Sequence, residues 1–206
     1  YKKIKIISFL SAMQPFPIHL HDNKIIPDIN NATSPAQIKQ LTEIFNWDKK
    51  KIKLIKAHRF QKGLTEKYKN KLVLPYFING EKNIYENIYK LLDSSPKKFF
   101  SQISIAAHPA GFTDNKYMRF VKLLEDMIES FDAKFDKKTN KNQSLIVGST
   151  STIFEALEYK LKVFHIVNEP VLEALDSLFW PTIKIKKFNK NILIYQTKFK
   201  KKLIHY

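Results

Sequence analysis

The sequence contains no cysteine and only 4 glycines among its 206 residues. Without cysteine the chain has no disulfide and no thiolate metal site, a composition that suits a reducing cytoplasm. Four glycines are too few to build either of the common glycine-rich phosphate loops. No apolar run reaches the roughly 18 residues that a membrane-spanning helix needs. We therefore expect a cytoplasmic protein that binds its ligands without a glycine loop.

Acidic residues are also scarce, since 19 Asp and Glu face 36 Lys and Arg, for a net charge of +17. Such an excess attracts nucleic acid, anionic lipid or a phosphate-bearing substrate. The lysines are scattered, as an AT-rich genome would also produce, so charge alone does not choose among these partners. Most aromatic residues fall at predicted core positions rather than among the basic ones, so we do not expect nucleic acid. Peripheral contact with the anionic inner face of the cytoplasmic membrane stays open, as does an oligomer.

A hydrophobic content of 44% predicts a packed core, and the length suits one α/β domain with part of another. The lysine-rich stretch 62–71 marks the boundary, so residues 1–62 are assigned to one domain and 63–206 to a second. The chain begins at Tyr1 rather than Met, and we expect it to be a piece of a longer protein.

Alternating strand and helix patterns predict a Rossmann-like fold, in which a parallel sheet carries helices on both faces. In the first domain the patterns predict strands at 1–10 and 51–57. Between them they predict a helix at 31–45, with Thr33 or Ser34 as its cap and Pro35 in its first turn. In the second domain they predict strands at 72–78, 103–107, 145–147, 163–167, 183–187 and 192–196, a short edge strand at 131–136, and helices at 84–92, 117–128, 153–157 and 170–180.

A hydroxyl-rich turn follows the third of these strands, where Gly148 is succeeded by Ser149, Thr150, Ser151 and Thr152. One hydroxyl is enough to cap a helix, so four in a row leave donors over. Helix amides and the helix dipole also favour an anion at such a turn. The pattern predicts an anion site, and the alternative is an ordinary helix cap.

Two other strand ends carry polar residues. The strand 103–107 ends at His108-Pro109, and a histidine there can donate a hydrogen bond to phosphate. The strand 72–78 ends at Asn79-Gly80, which we assign to the same ligand site because parallel strands end at one edge. Arg59, in the segment His58-Arg59-Phe60, suits bidentate phosphate contact, although a surface ion pair is as good an interpretation.

His108-Pro109 and the turn Ser149–Thr152 resemble the His-Pro and Ser-Ser/Thr motifs of bacterial GT-B glycosyltransferases that build surface polysaccharides. The chain is most similar to the families that use CMP-activated sugars, which are the sialyl- and polysialyltransferases and the capsule Kdo transferases. The resemblance covers about residues 72–167. It implies that 63–206 is the carboxyl-terminal, donor-binding domain of a GT-B enzyme. The expected donor is a CMP-sugar, and the expected acceptor is a glycan or glycolipid of the bacterial surface.

The resemblance also implies an inverting, metal-independent transfer, in which His108, Pro109 and the residues 148–152 hold the donor nucleotide and no cofactor takes part. Those enzymes take their general base from a pair of acidic residues followed by glycine, and this sequence has no such motif. We assign the base to Asp22, with Asp28 as the other candidate, or to a residue outside this chain. His19 and His21 beside Asp22 have no clear further metal ligand, so we expect solvated loop residues there. The open alternatives are a UDP-sugar transferase or epimerase and a noncatalytic binding module for nucleic acid or another anion.

Overall fold

The computed structural model describes residues 4–9, 27–57, 68–94, 100–138, 141–148, 150–167, 180, 182–198 and 203. The chain divides into two compact units. The first comprises Tyr1–Leu64, Glu173–Ile183 and Lys198–Tyr206, and the second comprises Thr65–Leu172 and Lys184–Thr197. The sequence division at 62/63 lies beside the first of these breaks. The two later segments of the first unit belong to the range that the sequence analysis assigned to the donor domain.

The first unit contains a three-stranded parallel sheet of β1 (Ile7–Phe9), β2 (Ile29–Ala32) and β3 (Ile52–Leu54), with β2 in the centre. Asp28, just before β2, anchors the chain that leads into β1. Its carboxylate accepts a hydrogen bond from the Ile6 amide at 2.9 Å, and its own amide donates to the Ile6 carbonyl at 2.9 Å. Asp28 therefore has a structural role at this edge of the sheet.

A short helix, α1 (Pro35–Lys39), follows β2 and continues into a π-helical turn, Gln40–Ile44. Ser34 caps it, because its hydroxyl accepts the Ala36 amide at 3.1 Å, and proline at the first position suits a helix start. The expected cap at Thr33 or Ser34 and the expected Pro35 in the first turn are therefore confirmed, while Asn31 and Ala32, at the start of the stretch 31–45, belong to the central strand β2. The strand expected over 51–57 is confirmed in shorter form as β3.

The second unit contains a six-stranded sheet with the order β5-β4-β6-β7-β9-β8. Its elements are β4 (Lys71–Val73), α2 (Glu81–Ser94), β5 (Ser104–Ala106), α3 (Asn115–Ser130), β6 (Gln143–Val147), α4 (Thr152–Glu158), β7 (Lys162–Ile166), β8 (Ile183–Asn189) and β9 (Ile192–Thr197). Strands β5, β4, β6 and β7 are parallel, and β9 runs antiparallel to β7. The α/β class is confirmed, with a sheet that is mixed rather than parallel throughout.

Helices cover both faces of this sheet. On one face α2 and α3 pack with alternate strand residues, among them Leu72, Leu145 and Phe164, in one apolar core. On the other face α4 packs against β6, β7 and β9. Every residue of β6 is buried, as expected for a strand that lies between two helical layers.

Three sequence expectations for this unit have different outcomes. The strand expected over 72–78 stops at Val73, because Pro75 has no amide to donate to a neighbouring strand. The edge strand expected over 131–136 is wrong: a 3₁₀ helix, Asp132–Lys134, continues from α3 there, while Phe131 and Phe135 are buried. The helix expected over 170–180 falls, apart from Trp180, outside the described residues. Within the described ranges no helix is both long and apolar enough to cross a bilayer.

Candidate functional site at the carboxyl ends of the parallel strands

The parallel strands of the second unit reverse their order at one point. From β4 the chain moves to β5 on one side, then crosses back over β4 to β6 on the other side. The carboxyl ends of β4 and β6 therefore flank a topological switch point. Open α/β sheets bind their ligands in the crevice outside such a point. We call the ends of β4, β5 and β6 and the turns that follow them the rim.

The strand register places one residue from each of the three strand ends at the same level of the rim. Val73 pairs with Ala106 of β5 and with Ile146 of β6. The residues two positions further along are Pro75, His108 and Gly148. A Cβ atom on Gly148 would lie 3.7 Å from Cγ of Pro75, so these two turns touch. His108 and Gly148 are separated by two strand spacings, about 10 Å, with the end of β4 between them.

The His108 side chain is exposed and its orientation is fixed by the turn that follows it. His108 precedes a 3₁₀ helix, Pro109–Gly111, and its Nδ1 accepts the Ala110 amide at 3.2 Å. An accepting Nδ1 carries no proton, so the neutral ring holds its proton on Nε2. That bond is the ring's only hydrogen bond among the described residues. His108 therefore presents an N–H donor, Nε2, at the rim.

Tyr117 of α3 holds the backbone of His108. The His108 amide donates to the Tyr117 hydroxyl at 2.8 Å. Tyr117 is in turn placed by the start of α3, where the Asp114 carboxylate accepts the Lys116 and Tyr117 amides at 2.8 and 3.2 Å. Burial raises the pKa of the Tyr117 phenol, and the His108 amide partly opposes that rise. The phenol is therefore neutral at ordinary pH.

Most of the backbone donors of the hydroxyl turn already have partners. Gly148 has a positive φ of 72°, which suits glycine, and its amide donates to the Ile166 carbonyl at 2.9 Å. The Thr150 hydroxyl accepts the Thr152 amide at 3.3 Å. The next amides of α4 are those of Ile153, Phe154 and Glu155, and they donate to the Thr150 and Ser151 carbonyls at 3.1–3.4 Å.

Helix α4 is therefore a poor anion site by its amides alone. The Glu155 carboxylate, buried in its first turn, also offsets the positive end of the helix dipole. With the amides of residues 152–155 already paired, the side-chain hydroxyls are the main donors that this turn offers to an anion. Thr150 and Thr152 lie there with their hydroxyl oxygens 3.2 Å apart, and Ser151 lies between them in the chain. Ser149 is outside the described residues.

No family model, curated protein or solved structure matches this chain. The donors of the rim themselves indicate its chemistry. A histidine N–H and nearby hydroxyls are neutral hydrogen-bond donors, the groups that bind phosphate oxygens without a metal ion. The switch point supplies the crevice, so the rim is suited to a ligand that carries phosphate.

The structure brings Asn79 and Gly80 to the same rim, in the turn between β4 and α2. Gly80 has a positive φ of 71°, and its carbonyl accepts the Ile84 amide at 3.1 Å, so it begins α2. Both residues are exposed. Glu81, which follows them, pairs with Lys116 at 3.2 Å, so the first turns of α2 and α3 meet. Arg59 and Asp22 lie outside the described residues.

Sequence reasoning missed three exposed aromatic residues at the rim. Tyr76 and Phe77 follow Pro75 with 56% and 68% of their surface exposed, and Phe112, just after the turn that His108 begins, is 58% exposed. The rings of Tyr76 and His108 have centroids 5.9 Å apart and are tilted by 50°. Tyr76 and Phe77 were placed inside a strand, although Pro75 was a signal that the strand ends before them.

A buried histidine lies below the hydroxyl turn. His165 of β7 is 4% exposed, and its Nδ1 lies 3.0 Å from the Tyr195 hydroxyl. Burial lowers the pKa of His165 to about 4, and the Gly148 backbone partly opposes that shift. Nε2 nevertheless has no partner within hydrogen-bonding geometry in the described part of the chain. The ring is therefore neutral at physiological pH and acts as a packing residue beneath Gly148.

Proposed function

We propose that this chain is a glycosyltransferase that binds the nucleotide of a nucleotide-sugar donor at the rim. The observation that supports it best is the placement of His108. Among the described residues, its Nε2–H is a free donor at the end of β5, and the Gly148 turn lies at the end of β6 on the other side of the switch point. The His-Pro and Ser/Thr motifs that occupy these positions favour a CMP-sugar, with a sialic-acid-like or Kdo-like sugar, as the donor.

In the proposed reaction an acceptor hydroxyl attacks the anomeric carbon of the donor sugar. The bond from that carbon to the phosphate oxygen breaks, and the acceptor's proton passes to a carboxylate base. Configuration at the anomeric carbon is inverted. Negative charge gathers on the leaving phosphate, so a fixed donor aimed at that phosphate lowers the barrier. His108 Nε2 supplies this donor, and hydroxyls of the 150–152 turn add others.

The general base is assigned to Asp22, which lies outside the described residues. Asp28, the other candidate in the first unit, already accepts the Ile6 amide at 2.9 Å. That bond occupies one carboxylate oxygen and ties Asp28 to the sheet, so we favour Asp22. The acceptor is proposed to be a capsule or lipooligosaccharide glycan, met on the cytoplasmic side of the membrane. The charge of +17 would help hold the enzyme near anionic lipid there.

A nucleotide titration with a matched transfer assay tests the proposal. CMP, UMP, inorganic phosphate and a short single-stranded DNA are titrated into the protein, and CMP- and UDP-sugars are tested for hydrolysis and transfer. Saturable CMP binding with release of CMP from a CMP-sugar supports the proposal. A preference for UMP with turnover of a UDP-sugar would replace it with the UDP-sugar alternative. Binding of DNA without any mononucleotide would show a noncatalytic module instead.

A further inference from the structure

Exposed aromatic side chains of the second unit gather at the rim. Among the described residues of this unit, four aromatic side chains are substantially exposed: Tyr76, Phe77, Tyr89 and Phe112. Tyr89 packs edge-on against Phe131, with ring centroids 5.4 Å apart, on the helical layer. The other three lie in the turns that follow β4 and β5. Large aromatic rings left in water at a strand-end crevice favour a ligand that covers them.

Tyr76 is the ring that the geometry ties to the phosphate donor. It lies one residue beyond Pro75, at the end of the strand between those that carry His108 and Gly148. Its centroid is 5.9 Å from that of the His108 ring, whose Nε2 points its proton away from the Ala110 contact. The rim therefore offers a hydrogen-bond donor for an anion and a flat apolar face within one nucleotide's reach.

A nucleotide presents the same two features, an anionic phosphate and a flat base, joined by a ribose. Bases stack on exposed aromatic side chains, and such stacking tolerates any base because each has a π face. Phe112, held by its amide to the Pro109 carbonyl at 3.2 Å, lies in the turn that His108 begins. It is a second exposed ring in the turns of the rim, 58% exposed.

We propose that Tyr76 is the stacking platform for the nucleobase of the ligand whose phosphate binds His108. The inference rests on the proposed function, because it takes the nucleotide at the rim as given. It adds that the base is held by its π face, so that a large part of the affinity comes from the base and is lost with the Tyr76 ring. The β4–α2 turn thereby becomes part of the donor site.

The test separates the base from the phosphate by using two ligands. CMP and ribose 5-phosphate are titrated calorimetrically into the wild-type protein and into Tyr76→Leu, Tyr76→Phe and His108→Ala. Tyr89→Leu is the matched control, since it removes an exposed ring of the same unit away from the rim. We expect Tyr76→Leu to weaken CMP binding about 5- to 100-fold and to leave ribose 5-phosphate binding unchanged. Tyr76→Phe keeps the stacking ring and should rescue most of the CMP affinity lost in Tyr76→Leu, whereas Tyr89→Leu should bind both ligands as the wild type does.

The two proposals fail in different ways. If Tyr76→Leu binds CMP as tightly as the wild type, or weakens both ligands equally, the stacking role of Tyr76 is wrong. The phosphate site still stands in that case, provided that His108→Ala weakens both ligands. If His108→Ala leaves both affinities unchanged, the proposed phosphate site is wrong. A wild-type protein that binds neither ligand overturns both proposals.

Discussion

The Tyr117 hydroxyl accepts a hydrogen bond from the backbone N–H of His108 at 2.8 Å, which fixes the turn that presents the His108 ring. The same tyrosine ring packs against Gly111. A Cβ atom on Gly111 would lie 2.8 Å from Cζ of Tyr117 and closer still to two other ring carbons. One aromatic ring thus sets both the path of the turn and the need for glycine in it.

Gly111→Ala should destabilise the protein by about 1–3 kcal/mol, because the added methyl overpacks against a buried ring. Urea unfolding measures the loss. The double variant Gly111→Ala with Tyr117→Leu should lose less stability than the sum of the two single losses, by at least about 0.5 kcal/mol. The reason is that leucine leaves room for the added methyl group. Ala110→Ser, at an exposed position in the same turn, should stay within about 0.5 kcal/mol. Strictly additive losses would show that the close packing does not exist.

Gly148→Ala should also be destabilising, for a different reason. The nearest atom to a Cβ there is 3.7 Å away, so space is available, but the φ of 72° is unfavourable for alanine. The expected cost is about 1–2 kcal/mol. Gly148→Asn should cost less, because asparagine tolerates the left-handed region. Equal losses for alanine and asparagine, measured by urea unfolding, would argue against this backbone conformation.

The sequence predicted the α/β class of the second unit and most of its elements because their apolar periods are strong. Helix α3 was expected over 117–128 and runs Asn115–Ser130. The two extra residues at each end are polar, so the apolar period did not include them. The sequence also located His108 and Gly148 at strand ends. It did not show that β4 separates them, since strand order depends on long-range pairing.

Other features were beyond the reach of the sequence patterns. β2 contains two asparagines in four residues and has no strand-like alternation, so its place at the centre of a sheet was missed. The hydroxyl turn looked rich in donors, but the amides of Gly148 and of residues 152–155 already donate to other atoms of the protein. The exposed rings at Tyr76 and Phe77 were read as core because an apolar run alone does not show where a proline ends the strand.

Stability should fall as the pH is lowered from about 6.5 to about 4, because His165 stays neutral in the folded state. Its pKa is lowered to about 4 when folded, so the unfolded chain takes up the proton first and is favoured. The shift corresponds to a fall of about 3 kcal/mol in the free energy of unfolding between these two pH values. In the variant His165→Leu with Tyr195→Phe, urea unfolding across this range should show a pH dependence smaller by about that amount. An unchanged pH dependence would mean that His165 is not buried as a neutral ring.

The hydroxyl turn and His108 should be coupled if both contact one phosphate. Their strands are about 10 Å apart, and side chains that extend from both ends toward one phosphate, each with a hydrogen bond of about 3 Å, can close that distance. We expect the loss of CMP affinity in Ser151→Ala with Thr152→Val, combined with His108→Ala, to depart from additivity by at least about 0.5 kcal/mol. Ser130→Ala is the matched control: it removes a hydroxyl at the carboxyl end of α3, which donates to the Met127 carbonyl away from the rim, and should not be coupled to His108. Additive losses would reduce the turn to a cap.

The most direct measurement of the proposed site is the affinity of CMP for the wild-type protein and for His108→Ala, with the melting temperature of each. The His108 ring is exposed and lies outside the core, so its loss removes only the bond to the Ala110 amide and should lower the melting temperature by no more than about 4 °C. A lost hydrogen bond to a charged phosphate should weaken binding by about 1.5–3 kcal/mol, or about 10- to 150-fold. If His108→Ala binds CMP as tightly as the wild type, or loses its cooperative melting transition, His108 is not the phosphate ligand.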